Sequence, residues 1–267
     1  AAPLLTVPQL WDSKLANGIE VMGTESDETP TVELLIYLDG GHRLDPANKA
    51  GLAELTASML NESSELRSSE DLAGALDMLG SSISFGSSDS QSYIKVSSLT
   101  ENLDATLALV KERLFSPGFV AADFERVKQQ QLQGLQHQLS DANYLASTGF
   151  SALLYGENSP LGISSDGTIN TISALTLDDV KQFYHQQYRA GNAQMVVVSD
   201  LSQQQIMPKL SMFAQWQGEA THFAALPALP AHPKNIVYLI DKPGAAQSVI
   251  NIGQVSLPYD ATGDFFK

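Results

Sequence analysis

Gly51-Leu52-Ala53-Glu54-Leu55-Thr56-Ala57-Ser58-Met59-Leu60 is the stretch on which the reading of this chain turns. Its apolar period predicts a helix from Ala50 to Asn61. Residues three and four apart on a helix share a face, so Glu54, Ala57 and Ser58 stand together on one side. Side chains at that spacing can grip one metal ion and activate its water. Here they are a carboxylate, a methyl and a hydroxyl.

Upstream, Val21-Met22 and residues 32–38 flank an acidic, Pro-containing turn at 25–30 and end at Gly40-Gly41. They predict two strands joined as an opening hairpin. Downstream, Ser68-Ser69-Glu70-Asp71 offers a cap and early carboxylates for a helix ending at Gly80. Residues 82–87 and 92–98 alternate small polar with apolar side chains around Gly86-Ser87-Ser88-Asp89, predicting a second hairpin with one half-buried face. A helix over 101–115 stops at Ser116-Pro117-Gly118, and 119–155 predicts one long or bent helix despite Gly134 and Gly149. After a Gly- and Ser-rich loop at 156–168 come a helix at 176–188, a strand at 194–199 and a helix at 202–216. This order predicts an α+β sandwich, a largely antiparallel sheet with helices on one face.

Residues 217–234 carry Pro227, Pro230 and Pro233 among alanines, a stiff composition that suits a linker. Beyond it, residues 236–240, the turn Asp241-Lys242-Pro243-Gly244 and residues 248–252 repeat the opening strand, turn, strand order, an internal repeat. The expected organisation is therefore a domain over 1–216, a linker over 217–234, and over 235–267 the opening hairpin of a second, truncated domain. A lone hairpin is marginal in water, so that segment is expected to be disordered, packed on a neighbour or swapped, and 259–267 has nothing intrinsic to hold it.

Composition narrows the function classes. The chain has 267 residues, 43% hydrophobic content and a formal net charge of −15, from 15 basic against 30 acidic side chains. That field repels phosphate backbones and anionic lipid heads, which argues against nucleic acid. Its longest apolar stretches fall well short of the ~18 to 20 residues that span a bilayer. Without Cys there is no disulfide and no thiolate metal cluster. Ala1-Ala2-Pro3 has neither a basic n-region nor an apolar h-region, and we expect the chain to begin inside a larger polypeptide.

No two of His42, His137, His185, His222 and His232 lie at ligand spacing, so no metal ligands are expected, and His42 reads as a turn residue after Gly40-Gly41. The serines of 81–90 include no Gly-x-Ser-x-Gly elbow and read as a solvated hairpin. Gly40-Gly41 lacks the Lys of a phosphate loop and reads as a strand-ending turn.

Residues 51–60 resemble the zinc helix of the insulinase, pitrilysin and mitochondrial processing peptidase family, Gly-x-Ala-His-x-x-Glu-His-Met-Leu, an inverted H-x-x-E-H motif. The resemblance also covers residues 40–50, Leu76-Asp77-Met78-Leu79-Gly80, Tyr155-Gly156 with Ser159-Pro160-Leu161-Gly162, and Tyr188-Arg189-Ala190-Gly191-Asn192 before Val196-Val197-Val198-Ser199-Asp200. In register, the first His is Glu54, the Glu is Ala57 and the second His is Ser58. The family's distal Glu ligand falls near Leu135, in a stretch with no Glu between Arg126 and Gly156.

The resemblance thus implies a catalytically inactive half of an insulinase-like zinc metalloendopeptidase, with no cofactor of its own. In that family an active and an inactive half enclose a chamber, so the implied partners are a zinc-bearing half, on the same polypeptide or a separate subunit, and peptide substrate. In the family's active domain the strand equivalent to Ser82, Ile83, Ser84, Phe85 and Gly86 is an exposed edge that pairs with extended substrate; in an inactive domain the alternatives are an edge that guides substrate and an ordinary edge strand protected by serines. A periplasmic location is favoured over a cytoplasmic one. The alternative is a free-standing peptide-binding or scaffold module without a peptidase partner.

Overall fold

The structure is a computed structural model that describes residues 9–222, 225–231, 234–245 and 247–256. His232, Pro233 and the stretch 259–267 singled out above lie outside the described residues.

Six strands form one sheet: β1 (Leu10–Lys14), β2 (Glu20–Glu25), β3 (Thr31–Asp39), β4 (Ser82–Ser87), β5 (Gln91–Leu99) and β6 (Ala193–Ser199), in the order β1-β2-β6-β3-β5-β4. Register puts buried residues opposite buried residues. Leu34 faces Val96 and Val197, Ile36 faces Ile94 and Met195, and all six are out of water. One residue along, Leu35 pairs with Lys95 and Tyr37 with Tyr93 on the other face, which stays partly exposed. A period of two thus gives the sheet one covered and one open face.

Eight α-helices are described: α1 (Leu52–Leu60), α2 (Ser69–Leu79), α3 (Leu103–Phe115), α4 (Ala121–Gln138), α5 (Ala142–Tyr155), α6 (Ile169–Ala174), α7 (Leu177–Gln187) and α8 (Gln203–Leu210). The caps are legible in sequence. Ser68 accepts from the Asp71 N–H at the start of α2, and Gly80 closes that helix in the left-handed region at φ 58. The α+β class and the sheet with its helices stand as expected.

The topology differs from the expectation in several places. Strands β2 and β3 do not form the opening hairpin: β6 lies between them, parallel to β2 and antiparallel to β3. The apolar run Met195-Val196-Val197-Val198 buries better in that central position than at an edge, and a long-range pairing of this kind leaves no local signal. The short strand β1 was not anticipated; it pairs with β2, and the Trp11 indole lies so close over Gly23 that a Cβ there would overlap the ring. The long helix expected over 119–155 is two, because Asp141 caps α5 by accepting from the Asn143 N–H. The last helix ends at Leu210 and continues only as a 3-10 turn, Ser211–Gln215.

Beyond Gln215 the described residues form neither helix nor strand. The hairpin expected over 236–252 is not formed there, and Val237, Leu239, Ile250 and Ile252 are exposed. Two strands alone gain too little to pay their ordering entropy, so the repeated pattern does not become structure without further strands to join.

Candidate functional site

Helix α1 packs against β4, α4 and α7. Its entry is tightly specified. Gly51 adopts φ 90, and a Cβ there would come within 2.8 Å of the Asp166 carbonyl oxygen and 2.5 Å of Ile172 Cδ1. The first turn of α1 is capped from a distance by Asp45, whose carboxylate accepts from the N–H groups of Gly51 at 2.8 Å and Ala53 at 2.9 Å.

Asp45 also accepts from His42 Nδ1 at 2.9 Å, while His42 Nε2 donates to the Ile163 carbonyl at 3.1 Å. Both side chains are buried. With both ring nitrogens facing acceptors and the carboxylate taking three N–H donors, the pair is an imidazolium and a carboxylate. Burial works against the charge on each, yet the hydrogen bond to Asp45 and its charge hold His42 above its ordinary value. Burial keeps the Asp45 carboxyl above its own ordinary value in spite of its donors. His42 is thus more than a turn residue: it ties the loop 156–168 to the start of α1.

Between α1, α4 and that loop lies a cleft of about 400 Å³, lined by Glu54, Ser58, Asn61, Glu62, Leu135, Asp166 and the glutamines of α4 among others. Three of the four positions singled out on sequence, Glu54, Ser58 and Leu135, come together here. Ala57, the fourth, is fully buried in the core. Burial, and then the Asp166 charge, push the Glu54 carboxyl up, while the Ser87 main-chain N–H acts in the opposite sense. Asp166 is held to α4: its side chain accepts from Gln138 Nε2 at 3.2 Å and its carbonyl from Gln131 Nε2 at 3.1 Å. Glu62 is paired with Arg126.

The residues present do not fit a catalytic zinc. Leu135 and Ala57 offer carbon where a ligand and a base would be required, and Ser58 offers a neutral hydroxyl. Among the described residues no group of three His, Cys, Asp or Glu is arranged to hold a metal ion. The carboxylates that line the cleft are those of Glu54, Glu62 and Asp166.

Residues 82–86 do form an edge strand, but its free side is occupied. The Phe85 N–H donates to Asn61 Oδ1 and the Phe85 carbonyl accepts from Asn61 Nδ2, both at 2.8 Å. The Ile83 carbonyl accepts from Arg113 Nη1 at 3.2 Å. Direct strand addition on β4, the mode expected from the resemblance, is closed at these groups. Asp45, Asn61 and Asp166 were not singled out on sequence. The Gln-rich run that became α4 was the visible sign of a polar cleft wall, but nothing local marks an Asp in a loop or an Asn at a helix end.

The helix at 52–60, its cleft and the single-faced sheet together define a peptidase-like domain. Residues 21–156 match the family described as insulinase (peptidase family M16), and residues 174–267 match the peptidase M16 inactive domain. The chain belongs to the M16 family and is an inactive M16 peptidase-like domain. It is 30% identical over 193 residues to the non-peptidase homolog YmxG of Helicobacter pylori, across 72% of this chain and 44% of that protein. A crystal structure of a peptidase M16 inactive domain from Pseudomonas fluorescens superposes with a TM-score of 0.77 at 28% identity, over 83% of this chain and 54% of that one. The periplasmic protease PqqL of Escherichia coli shares the fold, with a TM-score of 0.72 at 19% identity over 85% of this chain and 26% of that one. The chain therefore spans less than half the length of the curated relative it matches.

Proposed function

We propose that this chain is the non-catalytic half of a two-half zinc metalloendopeptidase: it closes a chamber and helps hold peptide, while a separate active half carries zinc and cleaves. The observation behind this reading is the meeting of the matched motif positions at one cleft. Glu54, Ser58 and Leu135 line it with Ala57 buried behind, and together the four side chains offer a single carboxylate. Architecture and recognition are what selection can maintain in such a domain.

Peptide runs through the cleft past Glu54, Glu62 and Asp166, beside the edge strand 82–86. The net charge of −15 favours basic peptides and makes capture sensitive to salt. The fold shared with a periplasmic protease supports an exported location.

Co-purification from the native cell tests the partnership. The expected result is a zinc-bearing M16 half that co-elutes and cleaves unfolded peptides only when this chain is present. Unchanged cleavage without this chain, or a solitary chain in the cell extract, would favour a free-standing scaffold and overturn the proposal. Cleavage indifferent to substrate charge and ionic strength would remove the electrostatic part of it.

A further inference from the structure

An added strand on β4 would have to pair with the groups that point away from β5. In an antiparallel ladder alternate residues point their main-chain groups to the same side, so Ile83, Phe85 and Ser87 form that outward set. Two of them have a side-chain partner. Arg113, itself buried, reaches the Ile83 carbonyl. At Phe85 both groups are taken by one side chain, Asn61.

A primary amide presents an acceptor and a donor side by side in one plane, the same pair that a residue of a neighbouring strand presents. Asn61 therefore does at Phe85 what one residue of an added peptide would do. Its position is also particular. It is the C-cap of α1, anchored by a 3.2 Å bond from Nδ2 to the Ala57 carbonyl, and it lines the cleft together with Glu54, Glu62 and Asp166. The side chain stands between the cleft and the strand edge, only partly buried.

We propose that Asn61 is a strand-mimicking plug, which keeps the β4 edge closed to extended peptides at Phe85 until its amide moves aside and leaves a seat there, beside Glu54, Glu62 and Asp166, for a basic peptide. The inference rests on the reading above that this cleft faces peptide. A plug of this kind makes the dead half hold peptide weakly and release it readily, a useful property where a partner does the cutting.

The test uses the whole chain and a defined probe, fluorescein-labelled (Lys-Thr)5, followed by fluorescence anisotropy at low salt. Asn61→Ala removes the plug, and its folding is checked by circular dichroism. Asn61→Ser is the second variant should Asn61→Ala fail to fold. The expected result is binding at least tenfold tighter than wild type. The gain should vanish for the same peptide N-methylated at every second residue, which cannot complete a ladder, and should shrink in Glu54→Gln/Asp166→Asn on the Asn61→Ala background.

Equal affinity of wild type and the folded variants overturns the proposal. So does an equal gain for the N-methylated probe, because binding would then owe nothing to main-chain pairing. The measurement needs no zinc-bearing half, so failure of the partnership experiment and failure of the plug are separable outcomes.

Discussion

Replacing Asp45 with Ala is expected to be among the most damaging single changes in this domain. It strands the His42 imidazolium in the interior and leaves the Gly51 and Ala53 N–H groups without their acceptor. Breaking one side of a buried ion pair costs about 3–5 kcal/mol, and loss of a helix N-cap about 1 kcal/mol. The two overlap, since His42 can shed its proton, so about 4 kcal/mol is expected for Asp45→Ala against a total stability of about 5–15 kcal/mol.

Removing both partners should cost less than the sum of the single changes, because His42→Ala/Asp45→Ala leaves no unpaired charge. A coupling of about 1.5–3 kcal/mol between the two positions follows. Urea unfolding followed by circular dichroism measures all four corners of the cycle, with a shared m-value as the sign that only stability has changed. A cost below about 1 kcal/mol for Asp45→Ala, or singles that add to within about 0.5 kcal/mol, would refute the ionised-pair assignment and the capping argument together.

Three further outcomes are expected. Because His42 titrates above its unfolded value, its stabilisation is complete below about pH 6.5 and is lost as pH rises through the higher folded value. The stability difference between wild type and His42→Ala should therefore shrink as pH rises above about 6.5, and a difference that grows would reverse the sign. Gly51→Ala places a Cβ at φ 90 against the Asp166 carbonyl and Ile172, and should cost about 2–4 kcal/mol in thermal or urea unfolding. Restoring Glu54→His, Ala57→Glu and Ser58→His should yield neither stoichiometric zinc by metal analysis nor peptidase activity until Leu135→Glu is added; Ala57→Glu alone should destabilise, because it puts a carboxylate at a fully buried position.

Much of this protein is written in local pattern. Alternation in 32–38 and 92–98 states which face of the sheet is covered, Ser68 and Gly80 mark the ends of α2, and residues 51–60 carry the motif that names a family. These readings hold because a period of two or of 3.6, a cap and a motif each lie within a few residues of chain. The Asp141 cap was equally local and was overlooked.

Tertiary structure alone decided three things. It placed β6 between β2 and β3, a pairing across more than half the chain that no local signal specifies. It left 236–252 without a ladder although the strand pattern is clear, since two strands have too little surface to bury. It also set Asp45 under the start of α1, Asp166 across from Glu54 and Asn61 against Phe85. Each is an unremarkable polar residue in sequence, and each has a role only because burial and hydrogen-bond satisfaction are settled by what the fold brings near.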